Sequence, residues 1–93
     1  MAPNMDSYSG PVRILDRNGI LLTVGSADLE KYPERGSWGG LLRVIANTGV
    51  AGKALQVKID IPDVGTGEAA LDPQTETNGI AFSQIAGIGP SPF

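Results

Sequence analysis

The side chains able to do chemistry in this chain are carboxylates, lysines, arginines and hydroxyls, because its 93 residues include no cysteine and no histidine. That composition removes Ser-His-Asp and Cys-His nucleophile systems, ordinary structural zinc sites, His-ligated haem and thiolate-held iron–sulfur clusters. The carboxylates Asp60, Asp63, Glu68, Asp72 and Glu76 all follow Lys58, and no lysine or arginine comes after it. The chain from Ile59 onward therefore carries −5, while the part before it carries +2, seven basic residues against five acidic ones. Asp60, Asp63 and Glu68 offer the several oxygens a calcium ion wants, but their spacing matches no calcium loop and reads as solvated negative loops. Paired carboxylates also serve glycosidases, yet a chain this short with short loops offers little cleft, and none of these acids stands in an apolar stretch.

The string Gly65-Thr66-Gly67-Glu68-Ala69-Ala70 follows a strand and superficially matches a dinucleotide fingerprint. That fingerprint needs a helix after its glycines, and Pro73 interrupts one within a few residues, so the string is expected to be a loop. No catalytic group, metal ligand or cofactor is assigned, and the expectation is a protein that is not an enzyme.

The elements that carry these residues read as strands. Asn18-Gly19 separates the apolar runs 12–17 and 20–24, and Asn78-Gly79 separates 75–77 from 80–85; both predict hairpins with type I′ turns. Residues Ile20-Leu21-Leu22-Thr23-Val24 are apolar on both faces, which predicts burial between two layers or against a neighbouring chain. Ser26 through Tyr32 reads as a single helical turn ended by Pro33. A strand over 41–46 is closed by a turn over Asn47–Gly52, and Leu55, Val57, Ile59 and Ile61 alternate with polar residues up to Pro62, the signature of a half-buried strand. Glu68–Leu71 is a short strand and Asp72-Pro73 a turn. About six or seven short strands punctuated by Gly, Pro and Asn make the chain all-β, a β-sandwich or small barrel with an N-terminal hairpin. Residues 1–10 are expected to form a flexible arm, 11–86 one domain, and 87–93 a Gly/Pro-rich tail outside any ladder.

From about Thr23 to Ile85 the chain resembles the bacterial immunoglobulin-like modules of invasin and intimin type. The strand 42–46, the turn 47–52, the strand 55–59 and the segment Thr75-Glu76-Thr77-Asn78-Gly79-Ile80-Ala81 carry the resemblance, which implies an immunoglobulin-like sandwich. That family closes with a Gly-led strand rich in Thr and Val that this chain lacks, so a sheet edge is left for the N-terminal hairpin or for another subunit to fill.

Function is then expected to work by contact. A net charge of −3, with seven scattered basic residues, argues against nucleic acid and anionic membranes as partners. No apolar run is long enough to span a bilayer, and the first residues lack the basic and apolar segments of a secretory signal. Three aromatics are placed to make contacts: Tyr8 in the arm, Phe93 in the tail, and Trp38 among Gly36, Gly39 and Gly40, with core or subunit-interface burial favoured for the tryptophan. The expected partners are proteins, either copies of itself or a larger assembly. A phage capsid decoration or other virion surface subunit is the leading reading, and an extracellular immunoglobulin-like adhesion module from a tandem cell-surface protein is the alternative.

Overall fold

A computed structural model describes residues 6–46 and 54–93. The turn expected over 47–52 and the first five residues of the arm lie outside the described residues. Six antiparallel strands, β1 (Ser7–Leu15), β2 (Leu21–Tyr32), β3 (Ser37–Ile45), β4 (Leu55–Ile61), β5 (Gly65–Thr77) and β6 (Ile80–Ile88), form one sheet. That sheet closes on itself in the order β1-β2-β3-β6-β5-β4. The chain is all-β as the alternation predicts, and of the two architectures the turns suggested it takes the closed barrel. Two three-stranded meanders, β1–β3 and β4–β6, meet along two seams, β3 with β6 and β1 with β4.

The seams are unequal. β3 and β6 pair over seven positions from Gly39↔Ala86 to Ile45↔Ile80, whereas β1 and β4 pair over three, Arg13↔Asp60, Ile14↔Ile59 and Leu15↔Lys58. Closure in cis leaves no sheet edge among the described strands for another subunit to fill, although the β1–β4 ladder that completes it is short. A cross-strand ion pair reinforces it: Arg13 Nε and Nη2 donate to Asp60 Oδ2 at 2.9 and 2.8 Å, and Thr66 Oγ1 donates to the other carboxylate oxygen at 2.8 Å.

Inward-facing side chains at period two fill the barrel. Val57, Ile59 and Ile61 are buried as their alternation predicts, together with Val12, Ile14, Leu29, Leu42, Val44, Leu71 and Ile85. Ser83 also points inward, and its hydroxyl is a buried side-chain polar atom with no hydrogen-bond partner among the described residues.

Several local expectations are corrected. Ser7–Gly10 is not an arm: it pairs with Ala27–Glu30 as the first part of β1, and the Lys31 amide donates to the Asp6 carbonyl at 2.9 Å. The helical turn over 26–32 is instead the second half of β2, since Ala27 and Leu29 face the core while Asp28 and Glu30 face out, a strand period that outweighs the capping pattern. Gly65–Gly67 opens β5 instead of forming a loop, and Asp72-Pro73 lies within that strand at an irregularity between Pro73 and Thr75. The tail contributes Gly87 and Ile88 to β6, opposite Ala69 and Glu68.

Both Asn-Gly hairpins form, by different turns. At Asn78-Gly79 both residues have positive φ, 54° and 80°, as a type I′ turn demands. At Asn18-Gly19 only Gly19 does, at 86°. There Gly19 donates to the Asp16 carbonyl and Asp16 to the Ile20 carbonyl, which is the three-residue loop of a type I turn followed by a left-handed glycine. Asp16 Oδ1 diverts the chain to that solution by accepting the amides of Asn18 and Ile20 at 2.8 and 2.9 Å.

Candidate interaction surface

The β2–β3 ladder runs from Tyr32↔Ser37 to Ser26↔Arg43 and stops there. The β1–β2 ladder continues past that point to Leu21, so the β1–β2 hairpin parts company with β3 on the barrel wall. A groove of about 590 Å³ opens where they separate, with Pro11, Val24, Ile45, Ile80 and Phe82 among its apolar walls and Arg13, Ser26 and Arg43 among its polar ones. Val24 is 59% exposed and Ile45 66%. Farther along β2, Leu21 is 53% exposed, and Ile20 just before the strand is 62% exposed. Of the both-faces-apolar run of the sequence, Leu22 packs partly against the core while Ile20, Leu21 and Val24 are exposed, so the expected burial between two layers is not found among the described residues. Exposed apolar surface such as that of Val24 and Ile45 in the groove marks interaction sites.

One flank of the groove is fixed electrostatically. Arg43 Nη1 donates to Asp28 Oδ2 at 2.6 Å, and the Ser9 hydroxyl donates to the other carboxylate oxygen. The Arg43 bond, then that of Ser9, hold the Asp28 carboxyl below the usual carboxylate range. Because the folded-state pKa is depressed, the associated stability is present above the unfolded pKa of about 4 and is lost as pH falls through the folded value. Replacing Asp28 with asparagine should therefore flatten the acid limb of a melting-temperature profile between pH 7 and pH 2; parallel wild-type and variant profiles would disprove the linkage. Beyond this pair lies a second cleft of about 360 Å³ with a mixed lining that includes Asp28, Glu30, Tyr32, Leu41 and Gln84, so the Arg43–Asp28 bridge stands between the two.

The three aromatics singled out in the sequence occupy other places. Trp38 is 3% exposed and belongs to the core. Its indole N–H donates to the Gly89 carbonyl at 3.2 Å, and its ring meets Phe93 edge-on with centroids 6.2 Å apart. Phe93 and Tyr8 are partly buried against the core. The Tyr8 hydroxyl donates to the Pro11 carbonyl at 2.6 Å, beside the point where β1 loses β4 as a neighbour. The aromatics thus order the two ends of the chain against its own barrel, and the structure brings Trp38 and Phe93 together while leaving Tyr8 apart.

The carboxylates do not converge: no group of three or more acidic side chains among the described residues is arranged to hold a metal ion. Asp60 is engaged by Arg13 and Thr66, Asp63 sits in the β4–β5 turn with φ 63°, and Glu68, Asp72 and Glu76 are exposed along β5. On the part of β5 beyond Leu71 that outlasts its ladder with β4, Asp72, Pro73 and Glu76 are the residue types that discourage further strand pairing. Residues of the groove that the sequence did not single out are Ile45, Ile80 and Phe82; the doubled apolar character of 20–24 was the signal that pointed toward it.

No protein-family model matches the chain, and neither a curated protein nor a solved structure matches it significantly.

Proposed function

We propose that this chain is a non-enzymatic structural subunit that tiles against copies of itself in a larger protein assembly, a virion surface coat being the leading case, through the apolar groove at the end of the β2–β3 ladder. The observation that carries the reading is the exposure of Val24 and Ile45 in this groove, on a barrel whose own core is already closed. Burying such residues gives association its favourable term, about 25 cal/mol per Å² of apolar area before ordering costs are deducted. The bridged arginines at the rim favour orientation more than affinity.

Light scattering over a concentration series tests the proposal. The wild-type weight-average mass is expected to rise above that of one chain as concentration approaches the millimolar range. Val24→Asp and Ile45→Asp should hold the mass at no more than two chains, where the wild type goes beyond two, with melting temperature unchanged. Concentration-independent monomers, or variants that associate as the wild type does, would refute the groove as the contact.

A further inference from the structure

The segment Gly89–Phe93 lies against the barrel in the manner of a bound peptide. β6 ends at Ile88, and the segment beyond it makes no ladder. It is held instead by the indole bond to the Gly89 carbonyl, by the edge-on contact of Phe93 with Trp38, and by burial of Pro92. The bed beneath it is cut by glycines. A Cβ on Gly65 would stand 2.6 Å from the Pro92 carbonyl oxygen, and one on Gly67 would stand 2.8 Å from Pro92 Cδ and 3.1 Å from Trp38 Cζ2. A Cβ on Gly87 would strike the indole itself. Pro92 therefore sits in space left by the missing side chains of Gly65 and Gly67, and the indole beside it in space left by Gly87.

A tryptophan-walled slot receiving a Pro-x-Pro segment follows the physics by which proline-rich peptides are recognised in aromatic grooves, where restricted φ angles lower the entropy lost on docking. The tail carries its own hinge: Gly89, with φ 73°, is the single residue between the ladder and Pro90. Clefts of about 220 and 260 Å³ flank the tail at Pro90, so its middle is less closely bedded than Pro92. Tail and slot also lie at the same end of the barrel.

From these features we infer that the slot formed by Trp38, Gly65, Gly67 and Gly87 is a binding site for a Pro-Ser-Pro-Phe C-terminal segment, and that two copies of the chain exchange their tails reciprocally to form a two-fold dimer. Donor and acceptor at one end permit the reciprocal exchange that closes such a dimer. The short tether gives the chain's own tail an effective concentration of roughly millimolar, so exchange dominates only where copies are crowded to a similar level. The site is separate from the groove proposed above, and Val24→Asp leaves it intact.

Two full-length variants test this. Gly65→Val retains a tail but obstructs its own slot; the double variant Pro92→Gly, Phe93→Ala retains a slot but has a poor tail. Each, carried in a Val24→Asp background that silences the groove, should remain monomeric alone, and an equimolar mixture at millimolar concentration should show a doubled mass by light scattering. The peptide acetyl-Gly-Pro-Ser-Pro-Phe should bind the double variant saturably, restore the wild-type emission of Trp38, and compete with the mixed dimer. If the double variant does not fold alone, recovery of its β-sheet circular dichroism on adding the peptide supports the site. Failure of millimolar peptide to bind the folded variant or rescue the unfolded one overturns it. Peptide binding without a mixed dimer keeps the slot and overturns the exchange.

Discussion

Replacing Gly40 with alanine is expected to lower the melting temperature by roughly 12–24 °C, the consequence of about 3 kcal/mol lost from a domain of this size. Gly40 pairs with Leu29 across the β2–β3 ladder. A Cβ there would overlap the Asp28 carbonyl oxygen and stand 2.8 Å from its carbon and 3.0 Å from Leu29 Cα. These are backbone atoms of a paired strand, so no rotamer change relieves the overlap and β2 must move away from β3. Gly39 repeats the relation on the other flank, where a Cβ would strike the Ile85 carbonyl oxygen of β6. The Gly-Gly pair lets β3 draw close to both neighbours, as tightly coiled strands in small closed barrels require. Gly36 supplies the control. It has φ 63°, and a Cβ added there would meet nothing within 4 Å, so Gly36→Ala should cost only the left-handed backbone penalty of about 1 kcal/mol. Equal losses in thermal melts of the two variants would show that close approach at Gly40 is not what the glycine provides.

That comparison also marks how far the sequence could be read. Turn chemistry is local, so both Asn-Gly hairpins were legible, and so was the inward set Val57, Ile59 and Ile61. The glycines were legible only as punctuation: Gly39, Gly40, Gly65, Gly67 and Gly87 lie inside strands. Their common requirement is the approach of something distant along the chain, an Ile85 carbonyl, an Asp28 carbonyl, Pro92 or the Trp38 ring. No pattern within a few residues encodes such an approach. The same limit applied to the groove. The doubled apolar run at 20–24 predicts burial between two layers or against a neighbouring chain, and in a single-layer wall the first of these is not available, so Ile20, Leu21 and Val24 stand exposed. Ile45, Ile80 and Phe82 gave no such notice, since an apolar residue in an alternating strand declares its face only once the register is known. Ser7–Gly10 and 26–32 were misread for a related reason: each joins the sheet through its partner more than through its own composition.

Trp38→Ala is expected to remove about 3–5 kcal/mol, a large part of the 5–15 kcal/mol typical of a whole domain. The loss has two sources. Removing a buried indole leaves a cavity bounded by Gly67 and Gly87, residues with no side chains to collapse into it. Removal also withdraws the N–H from the Gly89 carbonyl and the ring face from Phe93, so the segment that closes this end of the barrel loses both of its ties to Trp38. Trp38→Phe separates the contributions: it retains an aromatic ring but not the donor, and should cost about 0.5–1.5 kcal/mol more than the lost area alone, the net worth of one hydrogen bond. Denaturant midpoints at constant slope measure both variants. A small effect of Trp38→Ala, below about 1 kcal/mol, would mean that the ring is peripheral to the fold and that the tail is anchored by Pro92 on Gly65 and Gly67 without it. The expected large effect would tie the stability of the barrel to the occupancy of its slot, because the ring that completes the core is also the wall against which the tail is seated.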